Sequence, residues 1–160
     1  MRCFCQALAA RVLLVPGGQR LPLELPFRKN EAVRVADLPL RGAGGEPVDF
    51  ARTIVSHGVA ELPPNRVDLE ARLLETTLLV ARGARTVRIS ANGATLRIET
   101  VAGSYDKRLT ETVAHMFRLD EDLSGFYAVV GVDGELAWCA SGAGRMLRAP
   151  TVFEDVVKTT

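Results

Sequence analysis

The sequence is poor in the features that mark several protein classes. It has three cysteines, two histidines and 6% aromatic residues among 160 residues, and its 20 basic side chains nearly cancel its 19 acidic ones. A net charge of +1 gives no broad electrostatic field to draw a nucleic acid or a membrane surface. No run of 18 apolar residues occurs, so no transmembrane helix is predicted. A length of 160 residues suits one domain with a real core.

The few cysteines do not form a recognisable framework. Cys3 and Cys5 make a Cys-x-Cys pair, Cys139 is remote, and both histidines lie far from the pair. A structural zinc site needs four ligands, so we predict free thiols, no metal and no cofactor. The N-terminus is apolar, as in a signal peptide, but Arg11 interrupts the apolar run and no cleavage pattern follows it. We therefore expect a cytoplasmic protein without a membrane partner.

The hydrophobic pattern divides the chain into three parts. Residues 1–46, punctuated by proline and glycine, read as a poorly defined N-terminal extension. Residues 47–142 run from strand patterns to helical ones, which indicates an α+β domain: a curved antiparallel sheet with helices packed on one side. Residues 143–160 read as the start of a helical domain. The predicted strands are 48–55, 71–80, 86–90 and 94–101, and a helical stripe follows at Leu109, Val113, Met116 and Phe117.

Asn92-Gly93 is the strongest turn signal in the chain. It predicts a two-residue type I′ hairpin, whose register pairs Ile89 with Leu96 and Arg88 with Arg97. Like charges directly opposed destabilise a hairpin. One interpretation is therefore a phosphate-gripping strip on the outer sheet face. The alternative is a solvated face on which nearby glutamates relieve the repulsion.

The C-terminus carries a helix start with an apolar side. Thr151 to Glu154 matches the capping box, and Val152, Phe153, Val156 and Val157 form the apolar side. A helix of about nine residues is marginal alone. We expect that the chain is cut from a larger protein whose helical domain would cover this side, and that the exposed side invites self-association. The alternative is a short helix docked on its own domain.

Several segments resemble helix-hairpin-helix DNA glycosylases, the superfamily of the 8-oxoguanine and 3-methyladenine glycosylases. The segment 144–154, Gly-Arg-Met-Leu-Arg-Ala-Pro-Thr-Val-Phe-Glu, is similar to the start of their helical domain. Leu119 to Tyr127 resembles a helix of theirs that ends in Phe-Tyr. Asp49 to Ile54, followed by Ser56-His57-Gly58, resembles the first strand of their N-terminal domain. Together these segments span about residues 48–160.

The resemblance implies the N-terminal part of a base-excision-repair enzyme. The complete protein would act on damaged double-stranded DNA and hydrolyse the N-glycosidic bond of a damaged purine or alkylated base, with or without lyase chemistry. The family's hairpin, its water-activating aspartate and its lysine nucleophile lie later in the chain, so no catalytic residue is assigned here and residues 1–160 alone should be inactive. The alternative, from another class, is a free-standing α+β binding or scaffolding module without enzymatic activity.

Two groups of candidate site residues follow. Ser56, His57 and Gly58 would lie at the rim of the base pocket, or else form a turn that ends a strand. The candidates for nucleic-acid binding are Arg88, Arg97, Arg145 and Arg148. For the last two, which bracket the junction with the helical part, pairing with acids is the alternative interpretation.

Overall fold

A computed structural model of the chain describes residues 33–56, 58–80, 83–100 and 106–159. They form an antiparallel sheet and four short α-helices, so the predicted α+β class with an antiparallel sheet is confirmed. Among these residues no helix is long and apolar enough to cross a membrane. Cys3 and Cys5 fall outside the described ranges, and Cys139 is a buried free thiol.

The sheet has five strands in the order β1-β5-β4-β3-β2, each antiparallel to its neighbours. In chain order the strands are β1 Val33–Pro39, β2 Arg66–Asp68, β3 Leu73–Val80, β4 Gly83–Asn92 and β5 Thr95–Thr100. Strands β3, β4 and β5 correspond to predicted strands. Strand β1 comes from the predicted extension 1–46 and forms one edge of the sheet, with a register shift between Arg34 and Ala36. The domain boundary at residue 46 stays a prediction.

The two faces of the sheet differ in polarity because strand side chains alternate. The inner face buries an aliphatic layer that includes Leu74, Leu78, Val87, Ile89, Leu96 and Ile98, each fully buried. Helices complete this core from one side: α1 Phe50–Ile54 and α2 Lys107–Met116. The rings of Phe50 and Phe117 stack with centroids 5.4 Å apart, which joins α1 to the end of α2.

Helix α1 occupies the segment that was predicted as the strand 48–55, so that prediction is wrong. The Asp49 side chain accepts a hydrogen bond from the Arg52 backbone N–H and caps the helix. Phe50, Thr53 and Ile54 are buried at spacings of three and four, the helical period. The buried residues thus recur with the period of a helix. The Asp49 N-cap stabilises the first turn of that helix.

The β4–β5 hairpin forms where expected, but its register differs from the predicted one. The turn residues are Gly93 and Ala94, since Asn92 pairs with Thr95. Gly93 has φ +60° and Ala94 has no positive φ, which matches a type II′ turn with glycine first; a type I′ turn needs positive φ at both positions. The turn therefore lies one residue later than predicted, and each residue of β4 pairs with a β5 residue two positions further along the chain. Ile89 faces Ile98, and Arg88 faces Glu99 rather than Arg97.

The C-terminal half holds short helices and a 3₁₀ turn. Helix α2 begins after Asp106, whose side chain accepts a hydrogen bond from the Arg108 backbone N–H. Helix α3 Ser124–Val130 and the 3₁₀ turn Ala137–Ser141 pack into a small second core around Tyr127 and Cys139. Trp138 is 57% exposed. Arg52 lies over its ring.

Helix α4 Val152–Thr159 confirms the predicted C-terminal helix and half of its capping box. Thr151 Oγ1 accepts a hydrogen bond from the Glu154 N–H. The Glu154 carboxylate pairs with Lys158 at 2.5 Å instead of reaching back to the cap. The four apolar side chains of α4 are 57–79% exposed. The apolar side that the sequence predicted for this helix therefore faces solvent.

Replacing Gly93 tests the assigned turn. Gly93→Ala places a side chain at φ +60°, which costs an L-residue about 1–2 kcal/mol. Urea unfolding should show a loss of stability of that size. The matched control is Gly125→Ala in α3, where an added Cβ meets nothing within 4 Å, so stability should stay level or rise. Equal effects of the two changes would contradict the turn.

Candidate functional site

A buried arginine occupies the junction between the sheet and the C-terminal helices. Arg145 is 2% exposed and is the largest fully buried side chain in the described residues. Its guanidinium pairs with the Glu46 carboxylate and donates to the backbone carbonyls of Arg118 and Glu121. Glu46 Oε1 also accepts from the Leu123 N–H at 2.8 Å. The ion pair thus joins the loop after β1, the α2–α3 turn and the segment 143–149.

The glycines of the loop after β1 let the chain close around this pair. A Cβ at Gly42 would overlap Arg145 Nη2 and Glu46 Oε1, and one at Gly44 would overlap Asp122 Oδ1. Gly42 donates its N–H to the Glu46 carbonyl at 2.9 Å, which folds the loop back on itself. In the sequence, Gly42-Ala43-Gly44-Gly45 indicated only a break in regular structure within the predicted N-terminal extension. The loop holds one half of the ion pair instead.

A second, partly exposed ion cluster lies beside the first. The Glu121 carboxylate pairs with Arg118 at 2.5 Å and also with Arg148. Hydrogen bonding from Arg118 is the main cause that lowers the pKa of Glu121. We call Glu46, Arg118, Glu121, Arg145 and Arg148 the junction cluster.

Two carboxylates at this junction, Glu121 and Asp122, have a lowered pKa. Hydrogen bonds from Ser124 lower the pKa of Asp122, and the pKa of Glu121 is lowered as well. A general acid or base for chemistry near neutral pH instead needs a pKa close to the working pH. Burial raises the pKa of Tyr127, whose hydroxyl donates to the Ala143 carbonyl at 2.6 Å. These contacts describe a structural clamp rather than acid–base machinery.

The segment 143–149 is extended along the junction. Its residues alternate between buried and more exposed, with Arg145 and Leu147 turned inward. Ser56 Oγ accepts from the Leu147 N–H at 2.9 Å, and the Met116 carbonyl accepts from the Arg148 N–H at 2.9 Å. The segment therefore connects α1 to the end of α2 and leads into α4.

The predicted base-pocket rim is only partly described. Ser56 is half-buried and its hydroxyl accepts from Leu147, as above. Gly58 opens the 3₁₀ turn Gly58–Glu61, and His57 lies outside the described residues. The turn follows a helix rather than a strand. A role for these three residues at a base pocket stays a prediction.

The four candidate arginines fall into two groups, and each has a carboxylate beside it. Arg145 and Arg148 belong to the junction cluster. Arg88 and Arg97 lie on the outer sheet face, where Arg88 is 3.5 Å from Glu75 and Arg97 is 3.5 Å from Asp37. The predicted opposition of Arg88 and Arg97 is wrong, because the type II′ turn moves the register. Their binding to nucleic acid stays a prediction.

The true register instead builds a row of alternating charges across the sheet. Four residues on neighbouring strands pair across the sheet in this order: Arg66, Glu75, Arg88 and Glu99. Opposite charges on facing strands stabilise a sheet by about 0.2–1 kcal/mol per pair. A strand shift of one residue would place apolar side chains in this row, so the row favours the observed register.

A shallow crevice, with room for about one water molecule, lies where α4 meets the segment 147–150. Its apolar wall includes Met116 and Leu147, and its polar lining includes Asn65, Asp155 and Lys158. In the described part of the chain, no group of three or more His, Cys, Asp or Glu residues is arranged to hold a metal ion. The crevice therefore offers an apolar wall and a few polar groups at the base of α4.

Comparison with known proteins identifies the fold class. No protein-family model matches the sequence, and no curated protein matches it. Among solved structures, the chain is similar to the 3-methyladenine DNA-glycosylase from Archaeoglobus fulgidus, with a TM-score of 0.54 and 18% identity. The match covers 76% of this chain and 42% of that enzyme, so the chain spans less than half the enzyme's length. The described residues thus have a DNA glycosylase-like fold.

The junction pair can be tested by a double-mutant cycle. Arg145→Met leaves the Glu46 carboxylate buried without its partner, which should cost about 3–5 kcal/mol of unfolding free energy. The double change Glu46→Leu with Arg145→Met removes both charges and should recover most of that loss. Guanidinium unfolding measures the wild type, the single variants Arg145→Met and Glu46→Leu, and the double variant. Additive effects of the two single changes would show that the charges do not depend on each other.

Proposed function

We propose that this chain is the N-terminal α+β part of a DNA glycosylase of the helix-hairpin-helix superfamily. The complete protein would excise a damaged purine or alkylated base from double-stranded DNA during base-excision repair. The observation that carries the proposal is the fold likeness to a 3-methyladenine glycosylase over 76% of the chain. The motif at 144–154 supports it independently, since it resembles the start of the family's helical domain and leads here into α4.

The exposure of α4 supports a helical partner domain. Val152, Phe153, Val156 and Val157 are all more than half exposed. Burying one such side chain is worth about 1.5–3 kcal/mol, so a second domain would gain substantially by covering them. In this proposal the catalytic carboxylate, the DNA-gripping hairpin and most of the base pocket belong to that domain. The present residues would supply one wall of the pocket.

Base release is the direct test of the proposal. We would express residues 1–160, and also the whole open reading frame that contains them, and incubate each with oligonucleotides carrying 3-methyladenine or 8-oxoguanine. The proposal expects residues 1–160 to release no base, because they lack the water-activating carboxylate of the family. It expects the longer product to release one, seen as strand breaks after alkali.

Two results would contradict the proposal. One is a longer product that folds and leaves every damaged base in place. The other is a reading frame that stops at codon 160 without a following helix-hairpin-helix. That second result would favour the free-standing binding or scaffolding module.

A measurement of DNA affinity distinguishes the proposed N-terminal part, which should bind DNA weakly, from a chain that binds DNA tightly by itself. Because the four candidate arginines each lie beside a carboxylate, the chain should bind duplex DNA no tighter than about 10⁻⁵ M near physiological salt, with a steep salt dependence. Fluorescence anisotropy measures both. Arg148→Ala should change the affinity little, and Arg108→Ala on α2 is the matched control. Nanomolar binding that tolerates salt would refute this expectation.

A further inference from the structure

Exposed apolar side chains are concentrated near the end of the chain. Among the described residues, those up to 125 include four large exposed apolar side chains, whereas the much shorter stretch 126–157 includes ten. Contiguous apolar patches of this kind mark interaction sites in soluble proteins. Six of the ten lie outside α4, on α3 and in the residues that follow it: Phe126, Val129, Val132, Leu136, Trp138 and Met146. We call these six residues the α3 surface.

The local geometry brings members of the α3 surface together. Phe126 and Val129 are three residues apart on α3, so their side chains are neighbours on the helix. A Cβ at Gly144 would lie only 3.0 Å from the Phe126 ring. Met146 is exposed like Gly144, with buried Arg145 between them, so Met146 continues the same side of that segment. The α3 surface is thus the outer side of the small second core.

Trp138 is held in position although it is exposed. The Arg52 guanidinium carbon lies 5.1 Å from the centre of the Trp138 ring, a cation–π distance. Arg52 in turn donates to Ser141 Oγ at 3.0 Å and lies 3.6 Å from the Asp49 carboxylate. Tryptophan is enriched among the residues that dominate binding energy, and a side chain that is already positioned loses less freedom on binding. Trp138 is therefore suited to anchor an interface.

The charge around the α3 surface argues against nucleic acid as its partner. From Ser124 to Gly144 the sequence has no lysine or arginine, and its two charged residues, Asp133 and Glu135, are acidic and exposed. Binding to DNA depends on basic side chains that neutralise phosphates. An apolar surface with few charges and an exposed tryptophan instead matches the centre of a protein interface.

We propose that the α3 surface is the docking site for a second domain of the same protein, with Trp138 as its anchor. The inference rests on the proposed function, in which a helical domain follows residue 160. The similar glycosylase is long enough to contain such a domain, because the match leaves more than half of its length without a counterpart here. A domain tethered through α4 has a high effective concentration, whereas a second copy of the chain must be recruited from solution.

The area that such a domain needs supports a surface larger than α4. Stable protein interfaces bury about 800 Å² on each partner. A helix of eight residues is only about 12 Å long, so the four apolar side chains of α4 cannot supply that area alone. The six side chains of the α3 surface provide the additional apolar area. The partner domain would then cover α3 and the 3₁₀ turn as well as α4.

Hydroxyl-radical labelling, read by mass spectrometry, measures this cover residue by residue. It is applied to residues 1–160, with and without duplex DNA, and to the product of the whole open reading frame. We expect Trp138 and Met146 to be labelled readily in residues 1–160. In the longer product their labelling should slow by about fivefold or more, because interface anchors lose their contact with water. Leu79, 80% exposed on β3, is the control and should be labelled equally in both proteins.

The variant Trp138→Ala tests the anchor itself. In the longer product, labelling of Met146 should rise toward its rate in residues 1–160, because the docked domain loses its main contact. In residues 1–160 the same change should leave Met146 labelling as it was, whereas a merely structural role of Trp138 would raise it in both proteins. Leu79→Ala, which replaces an equally exposed apolar side chain on the sheet, is the matched control and should have no effect in either.

Protection of Trp138 and Met146 in the longer product alone supports the proposal. Equal labelling in the two proteins overturns it. Protection of residues 1–160 that grows with protein concentration overturns it in favour of a second copy, and protection by duplex DNA overturns it in favour of a nucleic-acid surface. A reading frame that stops at codon 160 overturns it together with the proposed function.

Base release by the same longer product separates the two proposals. Protection of Trp138 without release of any damaged base supports the docking surface and contradicts the glycosylase. Base release with Trp138 fully labelled supports the glycosylase and contradicts the docking surface.

Discussion

The buried ion pair of Glu46 and Arg145 is the contact on which the junction between sheet and helices depends. It connects three segments that are distant in sequence, together with the hydrogen bonds from the Ala43 N–H to the Glu121 carbonyl and from the Arg148 N–H to the Met116 carbonyl. Burying two charges costs several kcal/mol per ion unless geometry and added hydrogen bonds compensate. The carbonyls of Arg118 and Glu121, and the Leu123 amide, provide those bonds. The pair therefore contributes more to the specificity of how the three segments pack together than to the free energy of unfolding.

This constraint explains features that look unrelated in the sequence. Gly42 and Gly44 are required because a Cβ at either would overlap the charged groups. Arg118 has φ +55°, which turns the chain where its carbonyl meets the guanidinium. The alternation along 143–149 directs Arg145 and Leu147 inward together. In the proposed glycosylase, the same clamp would fix where the helical domain leaves the sheet.

Sequence reasoning recovered strands β3, β4 and β5 and helices α2 and α4, but it missed β1 and β2 and predicted a strand where α1 lies. Alternation identified β4 and β5 because their apolar faces repeat every second residue. The short segment after Asp49 was ambiguous: Val48, Phe50, Ile54 and Val55 fit a strand loosely, and only the N-cap and the spacing of Phe50, Thr53 and Ile54 indicate a helix. The hairpin register failed because Asn-Gly also fits a turn in which glycine stands first. Moving the turn by one residue shifted the partner of Arg88 by two residues, from Arg97 to Glu99, and so replaced a repulsive pair with an attractive one.

The sequence allowed the pairing of Arg145 and Arg148 with acids, but it could not identify Glu46 and Glu121 as their partners. Glu46 and Arg145 are 99 residues apart, and nothing in their local context shows that both will be buried. The most direct test of the clamp is hydrogen exchange at single amides in the wild type and in Arg145→Met under native conditions. We predict that protection falls at the Leu123, Leu147 and Arg148 amides while the Ile89 and Ile98 amides of the central strands keep theirs. Unchanged protection at the first three amides would contradict the claim that this pair holds the junction together.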